Sequence, residues 1–311
     1  GTIINTVGTF IPGVVGEFLM SISGQTSAVQ GAAMALAIGY AVKCDPYVLY
    51  SLATVGYATN TLGGAGGPLA VYFVTLIAIF FGKLVSKRTP VDLIVTPAVT
   101  IIIGVLVAQF LAPPIGAFAS WLGTIIMWAT ELQPLLMGIV VSVLVGMALT
   151  LPISSAAICA ALGLTGLAGG AAVAGCCAQM VGFAVMSYKE NGVGGLVSQG
   201  LGTSMLQMPN ILRNPRTWIP PTLAAAITGP IATCLFHLEM NGPAVSSGMG
   251  TCGLVGQIGV YTGWIESGKA VTAFDWIGLV LICFVLPAVL STIFCEVLRK
   301  KGWIKEGDLK L

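Results

Sequence analysis

Charged side chains are scarce in this sequence. Of its 311 residues only 8% are Asp, Glu, Lys or Arg, while 56% are hydrophobic and the mean hydropathy is +0.97. Ordinary soluble domains carry about 25% charged residues, and a soluble fold of this length would need more charge to cover its surface. The net charge is only +2, so we expect no nucleic-acid partner.

Motifs for metal, nucleotide and redox chemistry are missing as well. The chain has one histidine, and none of its eight cysteines stands in a CxxC pair. We therefore expect no zinc site and interpret the cysteines as small buried hydrophobes. No complete GxxxxGK[ST] sequence occurs, which excludes a P-loop through which ATP would drive the chain. We expect neither a cofactor nor a metal.

Long uncharged runs fill most of the chain. A bilayer-spanning helix needs roughly 20 predominantly apolar residues, and most of the runs are about that long or longer. They predict an all-α polytopic protein of the lipid bilayer with about eight to ten membrane segments, some of them re-entrant or broken. The runs are 18–42, 46–82, 93–130, 132–188, 191–212, 217–236, 240–265 and 276–295.

The character of the sequence changes near residue 150. We interpret 1–311 as a single membrane domain in three parts. Residues 1–149 are expected to form scaffold-like helices, with a break at Pro113-Pro114. Residues 150–270 are expected to hold broken helices and a substrate site. Residues 271–311 form a final helix and a basic tail, which the positive-inside rule predicts to be cytoplasmic.

Three segments of the second half read as interrupted helices: 150–163, 191–210 and 240–260. Glycine costs about 1 kcal/mol in a helix relative to alanine, so these segments are poor lipid-facing helices. They are typical of a wet cavity, where half-helix ends offer free backbone groups to a substrate. The alternative is close helix packing through small residues. Ser154-Ser155 and Ser246-Ser247 each follow a proline, which hints at paired repeats.

Ionisable and amide side chains supply the candidate ligands. His237 and Glu239 lie beside an apolar run, and such residues are functional candidates by default. Asn241-Gly242-Pro243 predicts a helix end there, where both side chains would converge on one cavity. Alternatively, both lie at the membrane surface. The candidate solute-binding residues are Asn191, Gln199, Gln207, Asn210, His237, Glu239, Asn241, Ser246 and Ser247.

Three stretches carry a family resemblance: GLGTSMLQMPNI (200–211), NPRTWIPPTLAAAITGPIATCLF (214–236) and EMNGPAVSSGMGTCGLVGQIGVYTGW (239–264). They resemble the enzyme IIC membrane component of bacterial phosphotransferase-system sugar permeases, in the divergent branch that includes PfoR-type regulatory proteins. The resemblance is looser before residue 150. The Gly-Ile-Thr-Glu motif of the better-studied branches is absent here.

The resemblance implies a homodimeric permease in the bacterial plasma membrane, with a scaffold and a moving substrate-carrying part. It implies re-entrant hairpins and a His/Glu pair that holds the sugar, for which His237 and Glu239 are the matching residues. Phosphorylation in that family occurs on A and B components, so we expect separate partner proteins for that step.

These observations predict a membrane permease that moves a sugar or a sugar-like small polar solute by alternating access. Two other functions stay open. One is a membrane-embedded sensor that binds its ligand without transport. The other is an ion-coupled carrier of a small organic solute, in which Glu239 carries the proton.

Overall fold

The computed structural model describes residues 1–11 and 13–311, with every side chain among them except that of Phe10. Helical segments make up most of this part of the chain, and its one extended pairing is an isolated antiparallel bridge between Gly166 and Met240. Two compact units, Gly1–Leu122 and Gly123–Leu311, divide it. The predicted all-α fold is confirmed, while the three-part division near residues 149 and 270 stays a prediction.

Unit 1 is built around three of its helices, Gln30–Ala41, Pro46–Gly63 and Gly67–Val85, which pack closely together. Its core is formed by aliphatic side chains such as Ala35, Leu52, Val55 and Val74. Burying such side chains contributes about 25 cal/mol for each Å² of apolar surface in a soluble protein, but in lipid the close packing itself holds helices together. The helices are α1 Thr2–Phe10, α2 Val14–Ala28, α3 Gln30–Ala41, α4 Pro46–Gly63, α5 Gly67–Val85 and α6 Asp92–Thr130, which contains the unit boundary.

A polar corner ties the α3–α4 turn to the end of α5. Lys87 pairs with Asp45, whose carboxylate also accepts from Ser86, and the Lys83 ammonium donates to the carbonyl of Val42 at 3.0 Å. The hydrogen bond from Lys87 lowers the pKa of Asp45. Both lysines are exposed, whereas Asp45 is half-buried and Ser86 is buried. The corner lies at the ends of the apolar helices, where basic residues that flank a membrane are expected.

Unit 2 is arranged around helix α9, Gly166–Met186, which is almost entirely enclosed by its neighbours. In its most apolar window, 94% of the residues are buried. Three helices, Pro134–Thr150, Ile219–Pro230 and Leu286–Lys300, surround it. The helices of this unit are α7 Pro134–Thr150, α8 Ser155–Ala161, α9 Gly166–Met186, α10 Tyr188–Val197, α11 Met208–Arg213, α12 Ile219–Pro230, α13 Val255–Glu266, α14 Ala273–Val280 and α15 Leu286–Lys300.

Glycines set the distance between α9 and its neighbours. A Cβ atom on Gly175 would lie 1.9 Å from the carbonyl oxygen of Ser142 on α7, and one on Gly146 would lie 2.6 Å from the carbonyl oxygen of Gly175. Ser142 in turn donates to the carbonyl of Ala225 on α12 at 2.8 Å. Small residues therefore let three backbones approach closely, which is the packing mode that helices use in lipid.

Five helical stretches of the described chain are long and apolar enough to cross a bilayer. The first comprises α4, a short 3₁₀ turn and α5, while α7 is a shorter apolar helix. The number of full crossings stays a prediction. The five stretches are Pro46–Val85, Asp92–Thr130, Gly166–Met186, Pro215–Leu235 and Ala273–Lys300.

The break predicted at Pro113-Pro114 is wrong, because α6 runs through both prolines without interruption. Proline removes a helical N–H and normally interrupts a soluble helix. In a membrane helix the neighbours can satisfy the freed groups. Here the next turn is fixed by packing, since a Cβ atom on Gly116 would lie 2.7 Å from the carbonyl oxygen of Gly63.

Candidate functional site

The chain leaves its helix just before His237. α12 continues through a π-helical turn at Ile231–Leu235 and ends there. His237 then adopts a φ of +44°, a left-handed conformation that histidine tolerates better than most side chains. Beyond it, the backbones of Gly166 and Met240 exchange two hydrogen bonds of 2.9 Å. The helix end predicted before Asn241 is thus present, and it is anchored to the start of α9.

His237, Glu239 and Asn241 lie together along this extended stretch, and all three are exposed. Asn241 donates from Nδ2 to the Glu239 carboxylate at 2.9 Å. Alternate residues of the same stretch, Leu238 and Met240, point inward and are buried. The structure therefore places the ionisable candidates at an accessible surface beside a helix end, rather than inside a closed cavity.

The two Ser-Ser motifs meet in space. Ser155, at the start of α8, donates to the carbonyl of Gly248 at 2.8 Å, and Ser247 donates to the carbonyl of Leu164 at 2.6 Å. A Cβ atom on Gly248 would lie 2.6 Å from the Ser155 carbonyl oxygen, so only glycine permits this approach. Residues 150–165 and 240–254, which overlap the predicted broken segments 150–163 and 240–260, thus form two short arms that are hydrogen-bonded to each other.

Four amide side chains of the predicted site gather in a different place. Gln207 donates to Gln199 Oε1 at 2.8 Å, and Asn210 donates to Gln207 Oε1 at 2.8 Å. Gln199 also donates to the hydroxyl of Ser187 at 2.8 Å. Asn191 lies at the edge of this chain of amides and donates to the carbonyl of Leu309 at 2.8 Å. Every one of the four is hydrogen-bonded within the protein.

One hydrogen bond joins the amide cluster to the arm 240–254. Thr251 donates from Oγ1 to the carbonyl of Gly200 at 2.5 Å, and Gly200 follows Gln199 directly. Four of the nine predicted residues thus form the amide cluster, and the other five lie between residues 237 and 247. Among these five, Ser246 and Ser247 are buried, at 2% and 0% exposed.

Sequence reasoning missed a third polar cluster, centred on Gln179 in α9. Gln179 is fully buried, donates to Thr222 at 3.2 Å and accepts from the indole N–H of Trp218 at 3.0 Å and from Thr150 at 3.3 Å. Thr150 also meets the hydroxyl of Ser204 at 2.9 Å. A signal was available, because Gln179 interrupts the long uncharged run 132–188 with a strongly polar group that must find partners in lipid.

An apolar groove of about 260 Å³ opens beside this cluster. Trp218 and Thr222 belong both to its wall and to the Gln179 network. A Trp face next to hydroxyl and amide groups can contact a small amphipathic molecule. The groove is lined by Met147, Pro215, Trp218, Ile219, Thr222 and Leu223.

Replacing Gln179 with leucine should lower the free energy of unfolding by about 1–3 kcal/mol, because the half-buried Trp218 loses the acceptor of its indole N–H and Thr150 and Thr222 lose a polar partner. Thermal unfolding, followed by tryptophan fluorescence of the purified protein in nanodiscs, would measure this. Gln25→Leu, at an exposed position, is the matched control. Equal stability of the two variants would contradict a structural role for this network.

The chemistry available in this region is hydrogen bonding to neutral polar groups, with one carboxylate. Carboxylate oxygens accept only, whereas amides both donate and accept, as sugar hydroxyls require of their partners. Among the described residues, no three His, Cys, Asp or Glu side chains lie close enough together to hold a metal ion.

The broken arms, the enclosed α9 and the apolar stretches define an integral membrane protein made of helices. The sequence profile of the family described as "Phosphotransferase system, EIIC" matches residues 1–311, the whole chain. The chain belongs to this family and is a membrane transport component of the phosphotransferase type. No significant match was found among curated proteins or among solved structures.

Proposed function

We propose that this protein is the permease component for a sugar or a sugar-like small polar solute, and that it works by alternating access. The observation that carries the proposal is the junction of two broken arms, where Ser155 and Ser247 each hold the opposite arm by a backbone carbonyl. Paired discontinuous helices of this kind are where transporters bind substrates. Membership of the EIIC family supports the same conclusion.

The solute site is proposed to lie at the outer side of this junction. Glu239 and Asn241 are exposed and already aligned by their mutual hydrogen bond, and His237 is next to them in the same extended stretch. Ser246 makes no hydrogen bond through its hydroxyl within the described residues and is free to bind a solute when the arms part. The four side-chain amides would bind the solute only in another conformation, because their N–H groups already donate to partners within the protein.

Partners and orientation follow from the family and from charge. We propose a homodimer in the bacterial plasma membrane, with A and B components that phosphorylate the solute on the cytoplasmic side. The basic clusters 83–88 and 299–305 would then both face the cytoplasm. In this arrangement, the chain itself binds and moves the solute and leaves the phosphoryl chemistry to its partners.

Uptake into proteoliposomes tests the proposal. With a panel of radiolabelled hexoses and hexitols, we expect uptake of at least one solute, and we expect Glu239→Gln to reduce it by about tenfold because a buried sugar hydroxyl loses a charged acceptor. Glu266→Gln, at an exposed carboxylate without a hydrogen bond, is the matched control.

The same assay separates the alternatives. Uptake that requires phosphorylated A and B components supports group translocation. Uptake driven by a pH gradient and abolished in Glu239→Gln identifies an ion-coupled carrier instead. Saturable binding of a panel member without any flux identifies a sensor. Either of the last two results would overturn the permease mechanism proposed here.

A further inference from the structure

The residues after α15 fold back onto the region of α10 and α11. Ile304 and Leu309 are 1% and 0% exposed, and both pack into a cluster with Phe183, Met186 and Ile211. Residues 303–311 contain no long helix. We call this the 303–311 segment. Ile304 and Leu309 are thus as buried as core residues, although the segment lies outside the candidate membrane spans and its Trp303 and Leu311 side chains are exposed.

Side-chain amides bind the backbone of the last three residues of the 303–311 segment. The Leu309 carbonyl accepts from Asn191 at 2.8 Å and from Gln207 at 3.0 Å, and the Lys310 carbonyl accepts from Asn210 at 2.9 Å. The N–H of Leu311 donates back to Asn191 at 2.8 Å. Three of the four amides predicted to bind a solute are therefore bound to the backbone of this segment.

Charged side chains contact the segment near both of its ends. The Glu190 carboxylate, 6% exposed, pairs with Arg299 at 2.7 Å and also accepts from the N–H of Leu309 at 2.8 Å. Such charge-assisted hydrogen bonds are about twice as strong as neutral ones. At the other end, the Arg216 guanidinium lies over the ring of Trp303, 5.1 Å from its centroid.

The amides also connect the segment to the arm 240–254. Leu309 is held by Gln207, Gln207 donates to Gln199, and the next carbonyl, that of Gly200, accepts from Thr251. The connection consists of three hydrogen bonds and one covalent step, because the Gln199 side chain and the Gly200 carbonyl are joined only through the backbone. A movement of the segment would free Gln207, which is the partner of Gln199 and so lies one residue from the carbonyl that holds the arm.

We propose that the 303–311 segment is an autoinhibitory latch, which occupies the amide cluster as a pseudo-ligand and holds the arm 240–254 against the α10–α11 region. While it is docked, Gln199 and Gln207 have no exposed surface and no solute hydroxyl can reach them. Its release would free the amides and loosen the arm. The inhibitory role rests on the proposed permease function, whereas the docking itself does not.

Hydrogen–deuterium exchange of the full chain in nanodiscs tests the latch without any solute. In Glu190→Gln, which weakens both the Arg299 pair and the Leu309 contact, amide exchange of residues 303–311 and 244–254 should rise by about tenfold. Glu306→Gln is the matched control, because Glu306 is exposed and makes no hydrogen bond. Leu309→Ala gives a second variant, at a position that lies outside every helix.

Each result decides the proposal. Protection of 303–311 that is unchanged in both Glu190→Gln and Leu309→Ala would overturn the latch. Faster exchange in 303–311 alone, with 244–254 unaffected, would overturn its link to the arm. In proteoliposomes supplied with the labelled hexoses and hexitols, the two variants should take up several times more solute than the Glu306→Gln control. Equal uptake would overturn the inhibitory role, and if the unaltered chain and both variants all transport nothing, it is the permease function that fails.

Discussion

Replacing Gly175 with alanine should lower the free energy of unfolding by about 1–3 kcal/mol, the usual cost of forcing extra volume into a packed core. The added Cβ atom would lie 1.9 Å from the carbonyl oxygen of Ser142 and 2.6 Å from its Cα atom. Both are backbone atoms of α7, so no rotamer change can relieve the clash. The helices would have to separate, which also strains the Ser142–Ala225 hydrogen bond to α12.

Gly194 provides the control for this experiment. It also lies in a helix, but a Cβ atom there would meet nothing within 4 Å, so Gly194→Ala should be neutral or stabilising by up to about 1 kcal/mol. Thermal unfolding of both variants in nanodiscs, read by circular dichroism, measures the difference. If Gly175→Ala were as stable as Gly194→Ala, the close approach of α7 and α9 would be wrong.

Removing the hydroxyls that join the two arms should give the second large effect. Ser155→Ala and Ser247→Ala each leave a buried carbonyl, of Gly248 or Leu164, without its donor, at a cost of about 1–3 kcal/mol each. Because the two bonds fasten the same pair of arms, we expect the double variant to lose less than the sum of the single losses. Solute uptake should fall with stability, since the arms no longer hold their relative position.

Ser246→Ala is the matched comparison for the arm variants. Ser246 is as buried as its neighbour but its hydroxyl holds no partner in the described residues, so the free energy of unfolding should change by less than about 0.5 kcal/mol. If Ser246 is a solute ligand, this variant loses solute binding while it keeps its stability. Equal destabilisation by all three substitutions would contradict the arm junction.

Much of the fold could be predicted because lipid imposes simple rules on a sequence. Uncharged runs located the long helices. The predicted broken stretches 150–163 and 240–260 contain short or interrupted helices, whereas 191–210 is helical apart from a kink at Gly192 and an extended residue at Thr203. The helix end before Asn241 was predicted from its Asn-Gly-Pro sequence and is present. The predicted helix break at Pro113-Pro114 was wrong because the packing of the neighbouring turn decides whether a proline breaks a membrane helix.

The candidate site was harder to predict, because a sequence shows that a side chain is polar but not which group satisfies it. Gln207 and Asn210 looked available for a solute, yet their partners Leu309 and Lys310 lie about a hundred residues further along the chain. Nothing local marks such a pairing. Glu190 follows Lys189 directly in the sequence, yet its partners are Arg299 and the N–H of Leu309, more than a hundred residues away, and its side chain is nearly buried.

The burial of α9 has a consequence for how the protein is made. α9 has the second lowest hydropathy of the five candidate spans and carries Gln179 at its centre. A helix of this kind enters the bilayer weakly on its own, because its polar group finds no partner among lipid tails. α7 precedes it, but Trp218, Thr222 and α15 are synthesised later. Stable membrane insertion of α9 therefore depends on segments that follow it, which makes its integration a late and cooperative step of biogenesis.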